Sequence, residues 1–246
     1  MIDGKKVLII LPAWMEAEGV AGVIKEVRAT LPGADTVVVD DGSPDETSSV
    51  ALGAGADVLR LPYNLGVGGA MRLGYRYAAD NNYDIAIQVD ADGQHDPRCV
   101  PQLIKELEHA DLVIGARFAG EGDYSVRGPR KWAMKVLAAV LSKMAHTRLT
   151  DVTSGFRACN RDLLVQFART YPMEYLGDTV ESTVSAIRAG YSVRQVPVAM
   201  RPRIAGTPSQ SPLRAMMYLL RIGLILMVAL GRRVDMQQPA AATTGR

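Results

Sequence analysis

The chain has 246 residues, 48% of them hydrophobic and 22% charged, a globular composition and not a disordered one. Its length suits one large α/β domain with appendages or two small domains, and a formal net charge of +2 is too small to argue for nucleic acid as a partner. Two cysteines, Cys99 and Cys159, support neither a disulfide framework nor a metal cluster and point to a reducing, cytoplasmic setting.

The first apolar run, residues 7–11, predicts a strand; it is too short for a secretory signal and lacks a small-residue cleavage site. Further strands are predicted over 36–40, 58–61, 85–90 and 112–115, with helices over 17–30, 44–54, 69–81 and 100–109 between them. Near-continuous Val/Ile/Leu strands alternating with helices indicate a mostly parallel sheet covered on both faces. Ser43-Pro44-Asp45-Glu46 reads as a helix start, with a capping hydroxyl, a Pro at the first helical position and a Glu to complete the capping box.

Beyond residue 115 the pattern is less regular. A Gly- and Arg-rich stretch over 115–130 leads to a helix over 131–145, then to Asp151-Val152-Thr153-Ser154-Gly155-Phe156-Arg157. A short helix follows over 161–168, then a helix over 178–189 with an acidic start, and a strand over 192–200. Residues 213–234 are apolar around most of a helical circumference, carry no acidic residue, and set Arg214, Arg221 and Arg232 on one stripe. That pattern suits a helix in the membrane interface, and Arg221 argues against a simple span; packing on the domain or an oligomer interface are the other readings. The tail over 235–246 is Gln/Pro/Ala/Thr-rich and reads as disordered.

The chemistry gathers at strand ends. In parallel α/β sheets ligands sit at the carboxyl ends of the strands. The first strand leads to Glu16, the second ends in Asp40 and Asp41, and the fourth in Asp90-Ala91-Asp92-Gly93-Gln94-His95. Alternate residues of a strand share a face, so Asp90 and Asp92 can converge on a hard divalent cation that prefers oxygen ligands. So many carboxylates at one edge are costly without a cation, base or ribose to receive them. The Gly66-Val67-Gly68-Gly69 loop lacks the dinucleotide spacing and reads as close helix packing. Asp178 reads either as a helix cap or as a general base, and His95 as loop structure.

Pro12-Ala13-Trp14-x-Glu16, Val38-Val39-Asp40-Asp41-Gly42-Ser43, Asn64-x-Gly66 and Asp90-Ala91-Asp92-Gly93-Gln94-His95, in that order, resemble glycosyltransferase family 2. The branch it looks most like is the dolichyl- or polyprenyl-phosphate mannosyl- and glucosyltransferases, over residues 5–210. One departure is visible: Trp14-Met15 stands where the family has Tyr-Asn, which keeps an aromatic wall and loses the Asn contact.

The resemblance implies a GT-A fold, placed over residues 1–210, and the residue pattern adds a membrane-interfacial or packing helix over 211–234 and a tail over 235–246. It implies Pro12, Ala13 and Glu16 in the nucleotide pocket, with Asp40 and Asp41 at the base or ribose. Asp92 and Gln94 would bind Mg²⁺ or Mn²⁺, with Asp90 on the metal or on the sugar side. Arg117 and one of Arg127 or Arg130 would meet phosphate, as would Arg203, and Ser154 would lie near the acceptor. The implied reaction is an inverting, metal-dependent hexosyl transfer from GDP-mannose or UDP-glucose to polyprenyl phosphate, on the cytoplasmic membrane surface. The alternative is a hydroxyl acceptor with Asp178 as base. A homo-oligomer or a membrane-protein partner would fit either scheme.

Overall fold

A computed structural model describes residues 1–117, 129–173 and 177–201, apart from the side chains of 129–133. In chain order the elements are β1 (Val7–Ala13), α1 (Val20–Thr30), β2 (Ala34–Asp40), α2 (Thr47–Gly53), β3 (Asp57–Arg60), α3 (Val67–Asp80) and β4 (Ile85–Gln88). There follow α4 (Val100–Glu106), β5 (Leu112–Ala116), α5 (Pro129–Ala145), β6 (Arg157–Asn160), α6 (Arg161–Thr170), α7 (Asp178–Arg188) and β7 (Val193–Pro197).

The strands form one sheet in the order β3-β2-β1-β4-β6-β5-β7. β1 pairs in parallel with β2 and β4, β2 with β3, and β5 with β7. β6 alone among the described strands runs against its neighbours, β4 and β5. The expected mostly parallel sheet is therefore present, with one reversed strand inserted. Residues 157–160 carry no strand signal in the sequence, being four residues with a charge and an Asn. They extend because β4 and β5 offer two open edges with a gap between them.

Strands buried on both faces explain the apolar runs. Leu8 and Ile10 of β1 join one core with residues of α3, α5, α6 and α7, such as Met71, Leu141, Phe167 and Val180. Val7, Ile9 and Leu11 join the other, with α1, α2 and α4 supplying Val23, Ala51 and Leu103 among others. The order places the ends of β1, β2 and β4 side by side. β6 enters the sheet at that same edge, since Arg157 pairs with Gln88.

Two boundaries shift for reasons that bear on the site. The predicted strand 85–90 stops at Gln88, and the chain turns so that Asp90 leaves the strand geometry. The helix predicted from Pro44 starts at Thr47 instead. Ser43 does not cap it; its hydroxyl accepts the Met15 N–H at 3.0 Å. Asp45 takes the capping part, accepting from the Thr47 N–H and hydroxyl at 3.2 and 2.6 Å. The helix predicted over 211–234 and the tail over 235–246 lie outside the described residues.

Candidate active site

The loop after β1 is stitched to the loop after β2. Asp41 N–H donates to the Ala13 carbonyl at 2.8 Å, Glu16 N–H to Thr47 Oγ1 at 3.0 Å, and Ala17 N–H to Asp45 Oδ2 at 3.4 Å. This holds Pro12, Ala13 and the half-buried Glu16 at the sheet edge, with Trp14 and Met15 exposed beside them. Met15 adopts φ 57°, the left-handed region that a side chain of its shape rarely occupies.

Asp40 and Asp41, expected at the base or ribose, are both held by bonds within the protein. Asp40 is fully buried; one carboxylate oxygen accepts the Ser43 N–H at 2.8 Å, the other the Ser48 hydroxyl, and Arg60 lies 3.8 Å away. Asp41, 4% exposed, accepts the Leu65 and Gly66 N–H groups at 2.7 and 2.8 Å. Burial raises its pKa against the help of those two bonds. Both carboxylates anchor turns through these bonds.

Asp90 is different. Its side chain is 37% exposed, the backbone N–H donates to His95 Nδ1 at 2.9 Å, and His95 Nε2 stands 3.6 Å from Oδ2. His95 is buried and stacked on Phe156 with ring centroids 4.8 Å apart, which fixes it as loop structure. Gln88 Nε2 donates to Asp90 Oδ1 at 3.1 Å. Gly155 closes the other side, where a Cβ would lie 3.2 and 3.3 Å from the two carboxylate oxygens. Asp92 is buried and accepts the Gln94 N–H at 3.0 Å, an Asx turn that folds the loop back towards Asp90. The Gln94 carbonyl in turn accepts the Arg201 N–H at 3.0 Å, and the Arg201 guanidinium bridges Glu26 and Asp96, each at 2.7 Å.

Arg117 is not an idle phosphate fork. Its Nε and Nη2 clasp the buried Asp151 at 2.6 and 3.0 Å, and Nη2 also donates to Thr153 Oγ1 at 2.7 Å. Burial works against ionisation of Asp151, but Arg117 prevails and its pKa is lowered. The pair pins the loop that carries Ser154 and Gly155. Ser154 is buried, its hydroxyl accepting the Phe156 N–H at 3.3 Å and its carbonyl turned to Arg157. Arg127 and Arg203 lie outside the described residues, as does the side chain of Arg130, a residue of α5.

The sequence reading missed Arg157. It is fully buried, donating from Nε and Nη2 to the Ser154 carbonyl at 3.3 and 2.7 Å, and from Nη1 to the Thr179 carbonyl at 3.1 Å and Ser182 Oγ at 3.0 Å. A lone cation between Phe156 and Ala158-Cys159 was the available signal. Arg157 ties the Ser154–Gly155 turn to the start of α7, where Asp178 lies 7% exposed. Asp178 is no cap, since Gly177 holds that position. Its carboxylate turns inward and accepts the Tyr171 hydroxyl at 3.2 Å. Burial raises its pKa despite the field of Arg157, and the charge of Asp90 adds to the rise.

A carboxylate-lined edge over an α/β sheet of this order is that of the GT-A nucleotide-sugar transferases. Crystal structures of glucosyl-3-phosphoglycerate synthase from Mycobacterium tuberculosis, one of them with Mn²⁺, UDP and phosphoglyceric acid, share the fold with a TM-score of 0.70. That match has 23% identity and covers 94% of this chain and 81% of the other. Residues 8–167 match the model of glycosyl transferase family 2, and the chain belongs to that family and is a glycosyltransferase. It is 31% identical over 220 residues to undecaprenyl-phosphate mannosyltransferase of Micrococcus luteus, covering 84% of this chain and 88% of that protein. It is 30% identical over 224 residues to polyprenol monophosphomannose synthase of Mycolicibacterium smegmatis, covering 84% and 82%.

Proposed function

We propose that this glycosyltransferase moves a hexose, mannose or glucose, from GDP-mannose or UDP-glucose to a polyprenyl phosphate, with inversion at the anomeric carbon. The relatives named for polyprenyl-phosphate mannosyl transfer support the acceptor class. The observation that carries the choice between acceptors is the burial of Asp178. A hydroxyl acceptor needs a base within hydrogen-bond reach of its proton. Asp178 is 7% exposed and its carboxylate already accepts the Tyr171 hydroxyl, which disfavours it as the base for an acceptor hydroxyl. A phosphate monoester is already anionic and needs no base.

The residues would then divide the work as follows. Trp14, exposed at the end of β1, offers a face to the base, with Pro12, Ala13 and Glu16 beside it. Asp90, oriented by Gln88, His95 and Gly155, faces the transferred sugar or the cation. An acceptor phosphate oxygen attacks C1, the bond from C1 to the diphosphate oxygen breaks, and its electron pair leaves with the nucleoside diphosphate.

Mg²⁺ or Mn²⁺ fits the donor set in a limited way. Asp90, Asp92 and the Gln94 amide supply oxygen, the chemistry hard cations prefer. Among the described residues no three His, Cys, Asp or Glu could hold an ion together. Asp90, Asp92 and Gln94 would be the residues that hold such a cation. Such an ion would offset the charge gathering on the leaving diphosphate. Action at the cytoplasmic membrane surface follows from a lipid acceptor. Among the described residues no helix is long and apolar enough to cross a membrane.

The test is to incubate the protein with polyprenyl phosphate and radiolabelled GDP-mannose or UDP-glucose, then count label in the lipid extract. Lipid-extractable label that survives Asp178→Asn and disappears in Asp92→Ala is expected. If Asp178→Asn stops turnover while donor affinity holds, the hydroxyl-acceptor reaction replaces it.

A further inference from the structure

The packing of α3 against α6 leaves a groove of 990 Å³ that no part of the donor site uses. Leu65, Leu73 and Val165 help form its apolar lining. Four guanidiniums, from Arg72, Arg76, Arg161 and Arg169, stand along it against one carboxylate, Asp80. The groove has a direction. α3 starts at the carboxyl edge of the parallel strands and runs away from it, whereas α6 follows the reversed β6 and runs back. It therefore extends from Asp80 and Arg161 at the far edge to Leu65 and the exposed Met173 at the carboxyl edge.

The cations are spaced, not convergent. Arg72 Nη2 donates to the Arg169 carbonyl at 2.5 Å, while Arg161 Nη1 donates to the Tyr83 carbonyl at 2.6 Å and Nη2 to Asn82 Oδ1 at 3.0 Å. Arg76 lies beside Asp80 at 3.4 Å and is largely exposed. One phosphate would ask for guanidiniums converging on it. A row of separated cations over apolar side chains matches many headgroups at once. The apolar segment over 213–234 is a poor occupant, since it carries arginines and no acid and would meet like charge.

We propose that the α3–α6 face is the surface by which this protein docks on anionic phospholipid, with the arginines at the phosphates and the Leu, Val and Met side chains at the acyl boundary. Met173 sits two residues beyond Tyr171, the partner of Asp178, so docking on this face brings the active edge to headgroup level. Docking needs no turnover; its use to the enzyme rests on the lipid-acceptor reading above.

The experiment is co-sedimentation of the full chain with vesicles of phosphatidylcholine alone and with about one third phosphatidylglycerol, at ~0.1 M salt. R76E/R169E is compared with K25E/K105E, which makes the same charge change on α1 and α4 in the opposite layer. Wild type binds the anionic vesicles, R76E/R169E loses at least about tenfold in partitioning, and K25E/K105E stays within about threefold. The neutral pair R76Q/R169Q loses about fivefold or more, and guards against a folding defect in the reversal. Equal losses in both reversals, or no loss in R76E/R169E, overturn the assignment. Transfer to a detergent-dispersed acceptor is read in parallel and stays at the wild-type rate in R76E/R169E. Loss of turnover there in wild type itself would instead count against the acceptor reading and leave the docking result standing.

Discussion

Gly155→Ala probes the contact between the Ser154–Gly155 turn and the carboxylate at the end of the fourth strand. An added Cβ would lie 2.8 Å from Gln88 Nε2 and 3.2 and 3.3 Å from the oxygens of Asp90. Ordinary carbon contacts begin near 3.4 Å, so the turn and its neighbours must part by about 0.6 Å. Gln88 is 1% exposed, so any shift of its amide is passed on to Asp90, to which it is bonded, or to the turn. Overpacking of this kind costs ~1–3 kcal/mol, and the lower chain entropy of Ala returns ~0.4–1 kcal/mol of it. The net expectation is a stability loss of up to about 2.5 kcal/mol. Displacing an active-site carboxylate by roughly half an ångström to one ångström costs ~10–100-fold in kcat/KM. Thermal melting and the lipid-label assay read the two effects separately. Gly53→Ala, with nothing within 4 Å of the new methyl, should leave both unchanged or slightly raise stability. In Asp90→Asn the further change Gly155→Ala should cost much less than in wild type, because the group it displaces is already lost. Wild-type melting and turnover in Gly155→Ala would refute the contact and the role drawn for Asp90.

Other perturbations follow from the same geometry. Arg117→Met strands the buried Asp151 and should cost ~3–5 kcal/mol in urea unfolding; Arg117→Met with Asp151→Leu should recover most of it, and a loss under 1 kcal/mol for the single variant would contradict the pairing. Asp178 has a folded-state pKa raised above its unfolded value of ~3.9, so the favourable neutral form is fully present below that value and lost as pH rises through the folded one. Asp178→Asn should therefore be more stable than wild type at neutral pH, with the gain vanishing towards about pH 4; a gain that grew on acidification would show the sign to be wrong. Met15→Asn should stabilise by ~0.5–1 kcal/mol by easing a left-handed backbone at an exposed side chain, and a lower melting temperature would argue against that conformation. Chelation should abolish transfer, with Mn²⁺ or Mg²⁺ restoring it; full activity in excess chelator would remove the cation from the reaction.

The central strands β1, β2, β4 and β5 were legible because they are largely buried on both faces and so read as apolar runs. The reversed strand was not, since Arg157 and Asn160 break the apolar run and the strand's place is set by the gap between β4 and β5. The hydrogen-bond partners of the candidate site residues were not legible. A sequence displays a carboxylate but not its donors, and those of Asp41 are the N–H groups of Leu65 and Gly66, over twenty residues away. Arg117 and Asp151 are separated by 34 residues and meet only because β5 and the Asp151 loop reach the same edge.

The acidic edge is therefore two populations that look alike in sequence. Asp40, Asp41, Asp45 and Asp151 receive backbone N–H groups, hydroxyls or a guanidinium and hold the loops in place. Asp178 is withdrawn into the protein by burial and Tyr171. Asp90 keeps more than a third of its side chain in solvent while three neighbours from three segments, Gln88, His95 and Gly155, fix where it points. Being both oriented and open suits Asp90 to the role proposed for it above. Of the others, Asp151 holds the loop that carries Gly155 through its bonds to Arg117 and Thr153.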